Sequence, residues 1–600
     1  MFKGGTCFQG SPFCFFARAT LKKGTIIAQS AGGNWLLFSE PRTILCATLP
    51  CQIDTVMCEV ETARAAGSHV AGFLAYEAAS AFDPALVTYP PDDFPLAWFG
   101  IYDSVQILKQ LPEPTEKYLG NLDWVPDTDR IAYGRALDKI RAWIQSGDTY
   151  QVNYTIRLRS AFSEDPYTLF VRLCQAQAAR CAVYADLGDW AVCSASPELF
   201  FETHGDTILT RPMKGTAARG LTYASDMQNA HELADSTKNR AENVMIVDMI
   251  RNDLGHIAVP GSISPEPLFE VERYPTLYQM VSTVKARTQG TFRDIVHALF
   301  PCASITGAPK VRTMQIIRDL ETSPRHFYTG MAGYCLADGT SRFNVMIRTV
   351  TVDKKAQVAE YGVGGGIVWD SVEQQEYDEC LTKAAVLTHM PPQFSLLETL
   401  RYDPPSGFAY VAEHCERAAD SAQYFGYPYD VKSMLDALQR AVKGKSVPQR
   451  VRWLLAADGG MEVTSVDLQP LDGRPIAVAG IGSCCKEDVF LYHKTTHRAV
   501  YDKALSAFPN CRDVILVNED GEVTESCLAN VVFQWNGESF TPPVECGLLD
   551  GTMRRALVAS GELKERRLMR DEIWQVERIW LINSVRGWME VPRERLVADM

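Results

Sequence analysis

Two adjacent prolines, Pro391 and Pro392, are the feature that most constrains how this chain of 600 residues can fold. They end the helical pattern EYDECLTKAAVLTH, because proline cannot continue a helix, and the apolar, strand-like segment FSLLETLRY follows them. We therefore predict a domain boundary near residue 391. One domain would cover residues 1–390 and a second would cover residues 391–600.

Both predicted domains mix helices and strands. In the first, the helical segment RAENVMIVDMIRNDL alternates with the strand-like SRFNVMIRTVTV, whose apolar residues recur with period two. In the second, a strand, the helical ERAADSAQYFG and short strands around ILVNEDGEV and NVVFQWNG follow one another. The sequence therefore predicts a mixed fold class, α+β or mixed α/β, in both parts of the chain.

Composition excludes several classes of protein. Apolar residues make up 46% of the chain and charged residues 22%, as in soluble globular proteins that bury large cores. The net charge of -14 argues against nucleic acid as a partner. No apolar run is long enough for a membrane span and no secretory leader is recognisable, so we expect a cytoplasmic protein without a membrane partner. The 17 cysteines include no CxxC pair or zinc-like spacing, which favours reduced thiols.

The first domain contains a candidate anion site. Arg348 lies in the predicted strand, and we expect Gly364, Gly365 and Gly366 to form a turn before the next helix. Glycines there let backbone N–H groups approach an anion, and an arginine can bind a carboxylate with two hydrogen bonds.

Carboxylates on two predicted helices form a candidate metal site. Glu376, Glu379 and Lys383 share one face of the helix that follows the glycines, a spacing that an exposed ion-pair face would explain as well. Glu242 lies on a second helix. Carboxylates from separate helices, with positions left open for water and substrate, suit Mg²⁺.

Seven ordered segments of the first domain resemble the chorismate-utilising enzymes. That family includes anthranilate, isochorismate and salicylate synthases and component I of aminodeoxychorismate synthase, and the resemblance implies a β-sandwich with helices outside it. The segments are SGDTYQVNYT (146–155), SPELFF (196–201), RPMKGT (211–216), RAENVMIVDMIRNDLG (240–255), SITGAPKVRTM (304–314), FYTGMAGY (327–334) and GGGIVWDS with EYDECLTKA.

The resemblance implies which chemistry the first domain performs. Members that add water to chorismate resemble one another in having a lysine where this chain has Gln151, so ammonia rather than water is the expected nucleophile. Lys214 of RPMKGT is similar to the lysine of aminodeoxychorismate synthases, where it would attack C2 of the ring before ammonia attacks C4. Glu198 would be the acid that protonates the leaving hydroxyl.

The resemblance also implies binding residues. Glu242 and Glu379 would hold Mg²⁺ on the ring carboxylate, with Glu376 just outside them, and Asn239 stands where relatives have a further acid. Gln279 stands where many relatives show histidine, and we assign it no role. The implied substrate-binding residues are Gln151, Thr306, Gly307, Tyr328, Arg348, Gly364, Gly365, Gly366 and Lys383.

The second domain resembles the branched-chain and D-amino-acid aminotransferase-like enzymes, which include aminodeoxychorismate lyase. The resemblance implies a pyridoxal-phosphate fold of type IV with two subdomains. The segments that carry it are FSLLETLRY (394–402), EHCERAADSAQYFG (413–426), YHKTTHRAVYDKAL (492–505), ILVNEDGEVTESCLANVVF (515–533), TPPVECGLLDGTMRRAL (541–557) and WLINSVRGWMEV (580–591).

Pyridoxal phosphate needs an amine, an acid facing the pyridine nitrogen, and groups that bind phosphate. Lys494 is the expected amine, Glu525 the acid, and Arg417 the charged phosphate ligand. Relatives commonly read LPG where this chain reads Leu549-Asp550-Gly551, which leaves the backbone of the phosphate loop open. The phosphate site would be completed by Thr552, Met553, Asn583, Ser584 and Val585.

The two halves make sense as consecutive reactions that yield 4-aminobenzoate, with chorismate as the substrate. We expect ammonia from a separate glutamine amidotransferase, because no glutaminase motif accompanies the first domain, and a possible homodimer through the second. One alternative remains open, an anthranilate-type synthase fused to a D-amino-acid or branched-chain aminotransferase. A catalytically inactive scaffold that recruits a glutaminase is opposed by the intact set of candidate residues.

Overall fold

The computed structural model describes residues 21–114, 120, 122–388 and 392–598. The chain forms two compact units, of which one is Met1–Ala217 with Glu232–Pro391 and the other is Ala218–His231 with Pro392–Met600. The predicted boundary near residue 391 lies outside the described residues. Residues 1–20, in which a secretory leader would lie, are also outside them.

The first unit contains two large, mainly antiparallel sheets. One has, in spatial order, Gly307–Ala308, Gln151–Ala161, Val358–Ile367, Thr349–Asp353, Trp190–Ser194, Val183–Asp186, Ile26–Gln29, Trp35–Phe38 and Gln106–Leu108, with Val125–Pro126 beside Gln151–Ala161. The other has Val284–Arg287, Thr207–Arg211, Leu199–His204, Ser341–Val345, Met331–Cys335, His69–Leu74, Ala97–Tyr102 and Thr43–Ala47. A small third sheet has Met213–Ala218, Leu277–Val281 and Glu270–Arg273.

The two large sheets pack face to face. Ile26 and Phe38 of one sheet share a buried cluster with Phe73, Trp98 and Tyr334 of the other. Helices bury the outer face of each sheet in separate clusters. The helices of the first unit are Pro50–Ala65, Ala79–Phe82, Arg130–Gln145, Pro166–Gln177, Thr237–Gly255, Phe292–Leu299, Lys310–Leu320 and Glu373–Ala384. The helix Tyr223–Asp235 has its first nine residues in the second unit. This arrangement is the predicted sandwich with helices outside it.

Two predictions about the strands were wrong. Gly364–Gly366 do not form a turn, because they lie in the regular strand Val358–Ile367, paired with Gln151–Ala161. The segment SRFNVMIRTVTV is not one strand. It forms Ser341–Val345 in one sheet and Thr349–Asp353 in the other, and Arg348 between them has a positive φ of 52°. Periodicity could not reveal this change of sheet, since both strands are buried and alternate alike.

The second unit has two sheets of its own. A four-stranded antiparallel sheet of Gly407–Phe408, Leu396–Asp403, Gln449–Leu455 and Met461–Asp467 packs against the helices Val411–Phe425 and Val431–Val442. A mixed sheet follows, with Lys564–Glu565, Glu538–Thr541, Asn530–Trp535, Val523–Ser526, Asp513–Val517, Ile476–Val478 and Leu596–Ala598. Arg578–Asn583 pairs with Asn530–Trp535, and Gly587–Glu590 pairs with Arg578–Asn583. Ala499–Ala507 and Thr552–Ala559 are its helices.

One piece of the second unit comes from the first half of the sequence. Residues 218–231 group with the second unit, although they lie between the strand Met213–Ala218 and the helix Thr237–Gly255 of the first. The predicted division at a single boundary did not anticipate this segment. Among the described residues, no helix is long and apolar enough to cross a membrane.

Candidate active sites

The first unit contains a cavity of about 490 Å³ whose floor is the glycine strand. A Cβ atom added at Gly366 would lie 2.4 Å from Nε2 of Gln151 and 2.6 Å from Nζ of Lys214, and one at Gly362 would lie 2.2 Å from the Tyr328 ring. The glycines are therefore required because functional side chains occupy the space that a side chain would fill. Positive φ is not their role, since none of Gly362–Gly366 has one.

Lys214 extends from the strand Met213–Ala218 into this cavity. Desolvation lowers the pKa of its amine, against the opposing effect of Glu242 and nearby carboxylates. Two residues fix the strand: the Asn243 side chain donates to the Lys214 carbonyl at 3.1 Å, and Gln279 donates to the Gly215 carbonyl at 2.9 Å. Sequence reasoning missed both roles, although Asn243 adjoins the predicted ligand Glu242.

Glu198 lies on another wall of the cavity and is 4% exposed. Burial raises the pKa of its carboxyl to about 7, although a 2.7 Å hydrogen bond from Ser304 and the charge of Lys214 act in the opposite direction. A carboxyl with such a pKa is substantially protonated near neutral pH, so it can act as a general acid.

The predicted carboxylates line the same cavity from two helices. The helix Thr237–Gly255, which begins after the capping hydroxyl of Ser236, presents Glu242. The helix Glu373–Ala384 presents Glu376 and Glu379. Glu379 is paired with Lys383 at 2.7 Å, and this lysine with Lys214 holds the pKa of Glu379 low despite its burial.

The three carboxylates suit a hard cation, but they do not lie close enough together to coordinate one. Carboxylate oxygens are the ligands that Mg²⁺ prefers, and three of them face one cavity. In the described part of the chain, however, no group of three or more potential ligands is close enough to hold a metal ion. Glu376 also accepts a hydrogen bond from Ser371 at 2.6 Å.

The remaining predicted substrate residues divide into two groups. Tyr328, Arg348, Gly364, Gly365, Gly366 and Lys383 line the cavity. Lys383 donates to the Gly364 carbonyl at 2.9 Å, which ties its helix to the glycine strand. Gln151, Thr306 and Gly307 do not line it. Thr306 is fully buried, and Gly307 and Gln151 belong to paired strands of the same sheet, in which Gln151–Ala161 lies beside the glycine strand.

The second unit contains a cavity of about 510 Å³ around Lys494. Burial, assisted by the charge of Arg417, lowers the pKa of the Lys494 amine to about 8. The peptide of Lys494 is fixed because its carbonyl accepts from the Leu397 N–H at 2.9 Å. The other predicted residues that line this cavity are Arg417, Thr552, Met553, Asn583, Ser584 and Val585.

Glu525 is buried beside this cavity and is not part of its lining. Its carboxylate accepts from the Tyr501 hydroxyl at 2.7 Å and from the Leu549 N–H at 3.1 Å. Burial outweighs these hydrogen bonds and raises its pKa to about 7. Cavity residues Asn530 and Leu549 lie between this carboxyl and the open space, with the Asn530 amide 3.4 Å from Glu525.

A buried network that sequence reasoning missed holds Arg417. Glu398 accepts two hydrogen bonds from the Arg417 guanidinium, at 2.9 and 2.7 Å, and one from His414 at 2.6 Å. Although burial acts to raise the pKa of Glu398, Arg417 and His414 hold it well below its usual range. His414 also contacts Ser584 at 2.9 Å, so it joins two predicted parts of the phosphate site. Glu398 could have been suspected as the one charged residue in the apolar FSLLETL.

The loop that lacks the proline of its relatives is held by ion pairs. Asp550 binds Arg554 at 2.8 Å and Arg555 at 2.9 Å, both on the helix that begins at Thr552. Gly551 is required at this position, since an added Cβ would lie 2.0 Å from the Asn530 side chain. The aspartate therefore fixes the loop where relatives use a rigid ring.

Several arginines line the second cavity. Arg450 and Arg452 alternate with the buried Val451 and Trp453, so both point away from the core of the four-stranded sheet. Arg512 and Arg586 line the cavity as well, together with Asp472 and Asp513. Burial and the charges of Arg450, Arg401 and Arg512 lower the pKa of Arg586. The positive charges around Arg586 are therefore not fully neutralised by nearby carboxylates. Sequence reasoning assigned none of these residues.

Comparison with known proteins places both sites in families. The description "chorismate binding enzyme" matches residues 49–389. The chain belongs to this family. Residues 395–593 match class IV aminotransferases, a domain that implies pyridoxal phosphate. Both resemblances expected from the sequence motifs are thus confirmed.

Two curated relatives each match less than half of the chain. Aminodeoxychorismate synthase component 1 of Salmonella typhimurium is 41% identical over 268 residues, which are 44% of this chain and 59% of that protein. Anthranilate synthase component 1 of Thermus thermophilus is 36% identical over 276 residues, which are 46% of this chain and 59% of that protein. The matched region therefore spans about three fifths of each relative.

A solved structure supports the fold of the first unit. The menaquinone-specific isochorismate synthase of Escherichia coli superposes with a TM-score of 0.50 and 18% identity, covering 62% of this chain and 90% of that one. At this identity the likeness concerns the fold alone.

Proposed function

We propose that this protein makes 4-aminobenzoate from chorismate in two steps, one in each cavity. The observation that carries the proposal is that Lys214 and Glu198 line the same cavity, close enough for the lysine charge to act on the carboxyl. The amine has a lowered pKa and the carboxyl a raised one.

In the first step, Nζ of Lys214 attacks C2 of the chorismate ring while Glu198 gives its proton to the departing 4-hydroxyl, which leaves as water. Ammonia then attacks C4, the double bonds shift back, and the bond between C2 and Lys214 breaks. The product carries an amine at C4. Glu198 regains a proton from the ammonium group that this attack forms at C4.

Mg²⁺ is proposed as the cofactor of this step, held by Glu242 and Glu379 with Glu376 beside them. It would supply positive charge for the ring carboxylate. Arg348, Lys383 and the glycine strand are proposed to bind the enolpyruvyl carboxylate. Release of Glu379 from Lys383 would free both groups for these roles, which accounts for the absence of an assembled cage among the described residues.

In the second step, Lys494 is proposed to remove the proton from C4 of the aminated ring as the C3–O bond breaks, so that the ring becomes aromatic and enolpyruvate leaves. Enolpyruvate then takes up one proton on its methylene carbon and becomes pyruvate. Bound pyridoxal phosphate supplies an aldehyde that condenses with amines and a ring that withdraws electrons. Arg417, Thr552 and Ser584, organised by Glu398 and His414, are proposed to hold its phosphate. Glu525 would hold a proton near its ring nitrogen.

The arginines that line the second cavity favour the lyase over a branched-chain or D-amino-acid aminotransferase. The aminated ring carries two carboxylates, whereas a branched-chain amino acid has one carboxylate and an apolar side chain. Arg450, Arg452 and Arg586 provide charge for two anionic groups next to Lys494. Guanidinium groups bind carboxylates with two parallel hydrogen bonds.

A partner completes the proposal. The matched relatives are named component 1, and we propose that a glutamine amidotransferase supplies ammonia to this chain. Free ammonia would replace it at high concentration. A homodimer through the second unit stays a prediction from the resemblance.

Product analysis tests the proposal. The full chain, supplied with chorismate, ammonium, Mg²⁺ and pyridoxal phosphate, is expected to form 4-aminobenzoate and pyruvate. Lys214→Ala should stop amination, and Lys494→Ala should accumulate the non-aromatic 4-amino compound. Formation of 2-aminobenzoate would instead identify an anthranilate-type synthase and refute the proposal.

A further inference from the structure

The segment 218–231 packs directly behind the lysine of the second cavity. Its Arg219 places its guanidinium 4.3 Å from the centre of the Tyr424 ring and donates to the Tyr424 carbonyl at 2.9 Å. In return, the Tyr424 hydroxyl donates to the Gly220 carbonyl at 2.8 Å. The segment is thereby attached to the helix Val411–Phe425 through backbone and side chain alike.

A buried ion pair gives the segment a fixed shape. Asp226 accepts from Nε of Arg219 at 2.6 Å, from its Nη2 at 2.8 Å and from the Gly220 N–H at 2.9 Å. The side chains of Arg219 and Asp226 are 8% and 1% exposed. Gly220 has no room for a side chain, since an added Cβ would lie 2.2 Å from the Asp226 nitrogen. A buried pair with this many hydrogen bonds specifies one local geometry.

Tyr424 connects the segment to the residue before Lys494. The Tyr424 and His493 rings are 4.3 Å apart between centres, and Ser421, one helical turn before Tyr424, contacts Nδ1 of His493 at 2.9 Å. His493 is 4% exposed. Because His493 and Lys494 share a peptide bond, the position of this ring limits where the Lys494 amine can lie.

We propose that Arg219, Asp226 and Tyr424 are positioning residues for Lys494, so that a segment encoded within the chorismate-binding half completes the pyridoxal-phosphate site. This inference rests on the proposed cofactor, but not on which substrate the second cavity uses. None of the three residues lines that cavity, so their effect passes through His493. Lys214 lies four residues before Ala218, so the same stretch of chain carries a candidate nucleophile for the first cavity.

The test uses the full chain with pyridoxal phosphate as the probe. Arg219→Met keeps a long side chain on Tyr424 and removes the ion pair. We expect the cofactor to dissociate about tenfold faster, and the pH midpoint of its visible absorbance to shift by about half a unit or more, because Lys494 loses its fixed position. Amination of chorismate should stay within about twofold of the wild type.

Arg566→Met is the matched control. It removes an arginine that lies 4.3 Å from the Trp535 ring in the same unit and that does not line the Lys494 cavity. It should leave the cofactor readouts unchanged. Equal effects of the two variants would show that loss of packing alone is responsible and would overturn the inference.

Two further variants cover the case in which Arg219→Met does not fold. Asp226→Asn weakens the ion pair, and Tyr424→Phe keeps the ring against His493 but removes the hydroxyl from Gly220. We expect intermediate changes in release rate and absorbance midpoint. Wild-type behaviour of both folded variants overturns the inference. If the wild type binds the cofactor but yields no pyruvate, the proposed lyase step fails, and the cofactor readouts still decide the role of the segment.

Discussion

At the scale of single residues, the raised pKa of Glu198 makes the first step sensitive to pH. The carboxyl must be protonated to donate, and its pKa is about 7. With the concentration of uncharged ammonia held constant, we expect amination to have a bell-shaped pH profile, because Glu198 must be protonated while Lys214 must be uncharged to attack. Above the maximum, the rate should fall about tenfold per pH unit. Rapid-quench measurement of the aminated product across pH 6–9 tests this.

Glu198→Gln is the companion variant. Glutamine preserves the shape but cannot give up a proton, so amination should fall by about 10²–10⁴-fold and should no longer decrease at high pH. A falling pH profile that persists in this variant would assign the titration to another group.

Glu398 illustrates a buried carboxylate that is costly to remove. Glu398→Gln would leave Arg417 without its partner, so we expect a loss of about 3 kcal/mol in the free energy of unfolding and weaker binding of pyridoxal phosphate. Urea titration and cofactor titration measure the two effects. The exposed pair Arg578–Glu590 supplies the control, since Glu590→Gln should cost less than about 1 kcal/mol.

Sequence reasoning found the residues whose chemistry is unusual and missed those that support them. Lys214, Glu198 and Lys494 were recognisable because each belongs to a motif. Asn243, His414 and Glu398 contact functional groups only through the fold, over separations that no local pattern records. Their roles required coordinates.

At the scale of elements, the glycine strand Val358–Ile367 allows a specific prediction. Gly366→Ala would place a methyl group where the ends of Gln151 and Lys214 lie, so we expect amination to fall by about 10²-fold while the chain still folds. Gly255→Ala is the control, because nothing lies within 4 Å of a Cβ added there. Amination assays and thermal unfolding of both variants make the comparison. Equal amination by the two variants would contradict the assigned role of the strand.

The helices and most strands follow from periodicity, and the exceptions have physical causes. Thr237–Gly255 and Val411–Phe425 coincide with the predicted helical segments. The glycine run was predicted as a turn because glycine favours turns, whereas here it serves close approach between a strand and side chains. The change of sheet at Arg348 is invisible in a pattern of alternating apolar residues.

At the scale of the whole molecule, the two cofactors should be separable. Chelation of Mg²⁺ is expected to stop amination and leave pyruvate release from preformed aminated substrate unchanged. Removal of pyridoxal phosphate should have the reverse effect. Each step is measured with its own substrate, and restoration of the missing cofactor is the control. A chelator that stops both steps equally would argue against two independent sites.

The fold class and the order of the two halves could be predicted from the sequence. The assignment of residues 218–231 to the second unit could not. That segment reads as part of a continuous first domain because the motifs on both sides of it belong there. Its contacts with Tyr424 join positions about two hundred residues apart in the chain. A pattern within one segment carries no information about such a pairing.

The placement of residues 218–231 bears on how this chain can be divided. A cut at the paired prolines yields a C-terminal fragment that has Tyr424 and His493 but neither Arg219 nor Asp226. Such a fragment exposes the aromatic surface those two residues cover. Isolation of the second unit therefore requires a peptide of residues 218–231, either added in trans or fused ahead of residue 392.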